Sequence, residues 1–187
     1  MPIILGGQNR GAKLLVPDGL GVRPTLARVR EALFSMIASQ IGSYEGISVL
    51  DPFAGSGALG LEAYSRGATH VDFFEINKSH YSLLLKNINH LKADKRCHAH
   101  FGESPKAWAC LKNVTYDLVL CDPPYAAGLL PKTLNALNEN KLLNNQAIVS
   151  LELDPNTAID IPPQYSLIKS RQYAQCLIIL LEYNAGD

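Results

Sequence analysis

The sequence predicts an α/β domain in which a largely parallel sheet is covered by helices on both faces and finishes with an antiparallel strand. Three observations lead there. Short apolar runs alternate with helical segments from Ile47 onward, a glycine-rich turn follows the first of these runs, and two β-rich stretches adjoin near the C-terminus with no helix between them. With 187 residues, 47% of them hydrophobic and 18% charged, the chain can bury one good core. Residues 1–187 are therefore read as a single domain, with an appendage over 1–42 and a core over 43–187.

The appendage comes first. Pro2 to Leu5 and Ala12 to Val16 are β-type runs joined by a glycine-rich stretch, which predicts a hairpin. Pro24 and Thr25 then signal a helix start, and Leu26, Val29, Leu33, Met36 and Ile37 recur at helical spacing up to Gly42. Strands are expected at Ser48 to Asp51, His70 to Glu75, Cys97 to Phe101, Tyr116 to Asp122 and Ala147 to Leu153, with a closing hairpin of Tyr165 to Ala174 and Gln175 to Tyr183. Asn87 and Asn89 read as solvated helix positions.

Charge narrows the choice of partner. The formal net charge is zero, which excludes a protein held to polyanions by bulk charge. Residues 1 to 30, however, carry Arg10, Lys13, Arg23, Arg28 and Arg30 against Asp18 alone. These five are the candidate RNA-binding residues, although Arg28 and Glu31 stand three apart on the predicted helix and are spaced to pair with each other. Cys97, Cys110, Cys121 and Cys176 form no CxxC pair, which suits a reducing, cytoplasmic compartment. No apolar run is long enough for a membrane span or a signal segment. His98 and His100 alternate along a strand without further ligands at zinc spacing, so no metal is expected.

Two motifs carry chemistry. In the first, Asp51, Pro52, Phe53, Ala54, Gly55, Ser56, Gly57 and then Gly60 place a GxGxxG turn between a strand and a helix, with Glu75 ending the next strand. That is the setting of a nucleotide-type cofactor. A carboxylate at Asp51 would repel a pyrophosphate but suits the sulfonium and ammonium groups of S-adenosyl-L-methionine, which disfavours an NAD-dependent oxidoreductase. Glu75 offers two acceptor oxygens to the ribose hydroxyls. Glu103 and Ser104, after the third strand, each suit the N-cap of a helix around Trp108.

In the second motif, Asp122, Pro123, Pro124 and Tyr125 end the strand that begins at Tyr116. Consecutive prolines force a rigid, extended exit. An exocyclic base amine is a poor nucleophile because its lone pair is delocalised into the ring. Acceptors at the Asp122 carboxylate and the Pro123 carbonyl would let it pyramidalise, while Tyr125 supplies a face on which an extruded base stacks. These four are the candidate catalytic residues.

The chain also resembles, over nearly its whole length, the bacterial 16S ribosomal RNA guanine-N2 methyltransferases of the RsmD type. The resemblance rests on Gly6, Gly7, Arg10, Gly11, Lys13 and Leu14, on Arg23 to Thr25 and Arg28 to Phe34, and on Phe53 to Glu62 and Ser65 to Ala68. Gln8, Asn9 and Ala12 depart from it, standing where the family is more basic and aromatic. The resemblance implies a Rossmann-like, seven-stranded class I S-adenosylmethionine-dependent methyltransferase sheet with a C-terminal antiparallel strand. It implies an acid or amide after the third strand for the adenine amine, for which Glu103 and Ser104 are both candidates, and 16S rRNA or the small ribosomal subunit as partner. The competing readings are an adenine-N6 nucleic-acid methyltransferase, which faces the same amine chemistry, and a noncatalytic RNA-binding module.

Overall fold

The computed structural model describes residues 2–17, 24–123, 128–157, 159–173 and 176–185, with side chains from residue 27 onward in the second of these stretches. Arg23, Pro124 and Tyr125 lie outside the described residues. The N-terminal hairpin is a single antiparallel bridge between Ile3 and Lys13 rather than two full strands. Its backbone is closed by Ile4 N–H to Ala12 O, Gly11 N–H to Ile4 O and Leu14 N–H to Pro2 O. So short a ribbon has little stability of its own.

Helix α1 (Pro24–Ile41) follows, with proline at its first position, where the missing N–H costs nothing. Then come β1 (Ser48–Asp51), α2 (Ala58–Arg66), β2 (His70–Glu75), α3 (Lys78–His90), β3 (Cys97–Phe101), a 3₁₀ turn (Lys106–Cys110), β4 (Tyr116–Cys121), α4 (Leu129–Glu139), β5 (Leu143–Leu153), β6 (Tyr165–Tyr173) and β7 (Cys176–Tyr183). The sheet runs β3-β2-β1-β4-β5-β7-β6. The first five strands in that order pair in parallel, and β7 pairs antiparallel with both β5 and β6. The seven-stranded sheet with its final antiparallel strand agrees with the sequence expectation.

Among the described residues two strands differ from their expected bounds, while Ala174 and Gln175 of the expected closing hairpin lie outside the described residues. β4 stops at Cys121 because Pro123 has no N–H with which to extend the ladder. β5 starts at Leu143, four residues early, across a register shift against Tyr116 and Leu118 that accompanies a positive φ at Gln146. Its polar opening, Asn144 and Asn145, reads locally as a turn.

Apolar side chains gather on both faces of the sheet. Val49, Phe73, Leu118, Leu120, Ile148 and Leu180 face Leu33, Phe34 and Ile37 of α1 together with α2 and α3. Leu50, Phe74, Val119, Val149 and Leu181 face Trp108 and α4. Burial on both faces explains why the central strands are continuous apolar runs. The reversal of strand order between β1 and β4 opens a crevice at their carboxyl ends, where ligands of such sheets bind.

Candidate active site

The glycine loop is tied to the strand beside it by one carboxylate. Glu75 Oε2 accepts from Gly55 N–H at 2.8 Å, and its Oε1 accepts from Asn77 N–H at 2.6 Å. Ala54 N–H adds a bond to Phe74 O at 2.9 Å. Charge-assisted bonds of this kind are the strong ones, so Glu75 fixes the loop as well as presenting its remaining lone pairs to the crevice. Gly55 has φ +56, and a Cβ there would point into open space. Gly60 serves packing instead, since a Cβ there would lie 2.2 Å from the Phe73 ring.

A cavity of about 460 Å³ opens beside the loop, lined among others by Phe53, Gly55, Glu75, Ile76, Glu103 and Ser104. Ile76 is 61% exposed there, an apolar side chain held in the open by the cavity wall. Glu103 and Ser104 reach it differently. The Ser104 hydroxyl accepts from the Trp108 indole N–H at 3.1 Å and is buried, whereas Glu103 is exposed and pairs with Lys106 at 2.8 Å. Neither side chain caps the 3₁₀ turn, whose N-cap is Pro105.

Asp51 is buried beneath the loop, where its Oδ2 accepts from Gly60 N–H at 3.0 Å. Burial pushes its carboxyl up to about 7; the bond from Gly60 opposes that shift, and the negative charges of Asp122 and Glu75 add to it. Asp122 follows the end of β4 with one side open to solvent, and desolvation on its other sides pushes it up to about 6. Pro123 is buried. Ala54 is buried, and the Ser56 carbonyl turns away from the cavity to accept from Asn87 Nδ2 at 2.8 Å.

That last bond corrects the reading of Asn87 as solvated. Asn87 is fully buried; its Oδ1 accepts from Leu15 N–H at 2.8 Å and its Nδ2 also donates to Leu15 O at 2.9 Å. One amide thus joins the N-terminal segment to the glycine loop. Only its three-dimensional neighbours reveal it, because Asn at that helical spacing is ordinarily a surface residue.

The basic N-terminal residues divide. Arg10, Lys13 and Arg28 are exposed, and the four ion pairs among the described residues lie elsewhere, so Arg28 does not pair with Glu31. Arg30 instead turns inward, 9% exposed, and donates to the Ile3 carbonyl beneath the hairpin. An arginine so placed stitches α1 to the hairpin and is not carried into an RNA-facing surface. Glu152, which sequence reading passed over, stands beside Asp122; an acid interrupting the apolar run of β5 was the available signal. Among the described residues no cluster of three His, Cys, Asp or Glu is arranged to hold a metal, and no helix is long and apolar enough to cross a membrane.

The comparisons with known proteins agree with this geometry. The family profile described as Conserved hypothetical protein 95 matches residues 3–182. Ribosomal RNA small subunit methyltransferase D of Escherichia coli strain K12 is 37% identical over 183 residues, covering 97% of this chain and 90% of its own. Among solved structures, a putative methyltransferase from Escherichia coli superposes with a TM-score of 0.85 at 37% identity, covering 99% of both chains. A putative methylase from Haemophilus influenzae does so with a TM-score of 0.78 at 30% identity, covering 98% of both. The strand order, the Glu75-anchored glycine loop and these matches together establish that the chain belongs to the Conserved hypothetical protein 95 family, alongside the ribosomal RNA small subunit methyltransferase D proteins.

Proposed function

We propose that this chain is an S-adenosyl-L-methionine-dependent methyltransferase that methylates the exocyclic N2 amine of a guanine in 16S ribosomal RNA of the small subunit, in the cytoplasm. One observation carries the reading. The glycine loop after β1 and the Asp122-Pro123 exit after β4 lie on neighbouring strands, at the point where strand order reverses, in a chain whose relatives are named for small-subunit rRNA methylation.

The residues fit that cofactor. A 460 Å³ cavity, an unobstructed Gly55 backbone and a carboxylate at its rim suit a nucleoside that carries no phosphate. Glu75 receives the ribose hydroxyls on the lone pairs that Gly55 and Asn77 leave free. Phe53 and Ile76 offer apolar surface to a purine ring, and Glu103 or Ser104 accepts from its amine. Asp51 contributes negative charge below the loop, which favours a cationic ligand. When bound, S-adenosylmethionine would supply an electrophilic methyl group to the amine nitrogen and would leave as the neutral thioether.

The chain's own part is positioning and proton handling. The Asp122 carboxylate and the Pro123 carbonyl accept the amine's two hydrogens, which localises the lone pair on nitrogen. Asp122 then takes the proton that the methylated nitrogen must lose. The sequence motif assigns Tyr125 to stacking on the extruded base and Pro124 to the Pro-Pro exit. The exposed Arg10, Lys13 and Arg28, and Arg23 by sequence alone, are assigned to the RNA phosphates.

The decisive experiment incubates small subunits, or their RNA, lacking the modification with methyl-labelled S-adenosylmethionine and identifies the labelled nucleoside. N2-methylguanosine is expected. N6-methyladenosine would replace the base assignment, and no transfer to any RNA would overturn the reading.

A further inference from the structure

Beyond Asp122, a second carboxyl stands at the mouth of the same crevice. The β4–β5 ladder ends at the pair Cys121 and Leu151, so the next step along both chains sets Asp122 beside Glu152. Laterally paired residues of parallel strands point to the same face, and neighbouring strands lie about 4.8 Å apart. The face is the one covered by α1, on which Leu118, Leu120 and Ile148 precede them. Two acids therefore stand side by side at the carboxyl ends of adjacent strands.

Among the described residues, little satisfies this pair. The thiol of Cys176 donates to Glu152 Oε2 at 3.7 Å, a weak bond. Burial and the negative charge of Asp122 push the Glu152 carboxyl up to about 8. A buried cation stands near it as well. Arg30 is nine-tenths buried, its Nε has no hydrogen-bond partner among the described residues, and its charge acts on Glu152. Two acceptors crowded side by side form an arrangement that a ligand bringing two adjacent donors would complete.

Among the bases, guanine brings that pattern. Its N2 amine and its ring N1–H are neighbouring donors on one edge. Adenine and cytosine each set an amine beside a bare ring nitrogen, whose lone pair would face the second acid. We propose that Glu152 selects guanine: while Asp122 accepts from the N2 amine, the Glu152 carboxyl accepts from the adjacent N1–H. A carboxyl in either protonation state keeps an acceptor oxygen for a donor on the base edge. This inference rests on the guanine-N2 reading above.

The test replaces the methylated guanine, once mapped, with 2-aminopurine in reconstituted subunits. That base keeps the exocyclic 2-amine but has a bare N1. Single-turnover methyl transfer is compared for wild type, Glu152→Ala and Glu152→Gln, with cofactor affinity and thermal unfolding confirming that each variant is folded. Wild type should favour guanine over 2-aminopurine by about 30-fold or more, the discrimination expected of one lost hydrogen bond to a base edge. In Glu152→Ala that ratio should collapse to within about 5-fold through loss of the guanine rate. Glu152→Gln keeps an acceptor for N1–H and gains a donor for a bare nitrogen; it should restore most of the guanine rate and still lose the discrimination. Equal guanine preference in all three proteins overturns the assignment, as does wild-type methylation of 2-aminopurine at the guanine rate. Failure of the underlying reading is distinguishable, since it appears with wild type alone as label on a nucleoside other than N2-methylguanosine.

Discussion

Asp51 Oδ2 accepts the Gly60 N–H at 3.0 Å, so the acid that ends β1 holds the first turn of the helix leaving the glycine loop. Burial raises its carboxyl to about 7, placing its ionisation near neutrality. A cationic ligand prefers the ionised form. Affinity for S-adenosylmethionine should therefore rise by up to about 10-fold between pH 6 and pH 8, as the raised group deprotonates. Calorimetric titration at the two pH values measures it. Asp51→Asn should flatten the dependence, and an equally steep dependence in that variant would exclude Asp51 as its source.

Glu75→Ala removes a carboxylate that both anchors Gly55 and faces the cavity. Cofactor affinity should fall by about 1.5 to 3 kcal/mol, the worth of hydrogen bonds to a charged group. The same titration reads it, and unchanged affinity would reduce Glu75 to a loop anchor.

Asp122→Ala should lower single-turnover methyl transfer by at least about 100-fold while leaving cofactor affinity nearly unchanged, because in the proposed reaction its carboxylate accepts from the amine and not from the cofactor. In wild type the rate should decline as pH falls through about 6, where Asp122 takes up a proton and ceases to be a full acceptor. Near-normal transfer by the variant would rule out its role in the reaction.

The exposed pair Arg10 and Lys13 should act on RNA through phosphates. Their joint replacement by alanine should weaken RNA binding and reduce the slope of log K against log salt by about 1 to 2 units, since fewer counterions are released. Cofactor affinity should not change. Parallel salt lines for wild type and variant would assign these residues to solubility.

Asp72 is a structural counterpart of the active-site acids. Burial alone would raise its carboxyl, but bonds from His100, Tyr116 and His70, at 2.7, 2.6 and 2.6 Å, outweigh burial and hold it below its ordinary 3.8. A depressed carboxyl stabilises the fold in full above the unfolded value, and that contribution is lost as pH falls through the folded one. Asp72→Ala should cost about 2 to 4 kcal/mol in denaturant unfolding at neutral pH, because the Tyr116 hydroxyl is left buried without a partner. In acid, below the usual carboxylate range, the gap between wild type and variant should narrow.

The parts of this fold that local chemistry decides were readable in the sequence. β1 and β2 are short, mostly apolar runs and β3 alternates His98 and His100 between apolar residues, and the ends of all three coincide with the expected ones. The glycine loop and Glu75 were likewise readable because their spacing is itself the signal. What escaped depends on distant neighbours. Asn87 is buried because Leu15, 72 residues away, lies across it, and Arg30 turns inward because Ile3 presents a carbonyl to it. Glu152 acquires meaning only beside Asp122, on a strand that follows an intervening helix.

The short N-terminal ribbon sets a limit on how the chain can be dissected. Glu62, fully buried in α2, uses its two oxygens to accept from Leu5 N–H and Gly6 N–H, with Arg66 as its remaining partner. Excising the ribbon would withdraw both backbone donors and open a buried carboxylate to water directly behind the glycine loop. Asn87 would lose Leu15 in the same cut, and Leu33, Phe34 and Ile37 would leave the core if α1 went too. A fragment beginning at residue 43 is thus not a smaller enzyme awaiting an RNA-binding attachment. The residues first in sequence are bonded through Glu62 and Asn87 to the helices on either side of the glycine loop, so hairpin, loop and core form one continuous piece of protein.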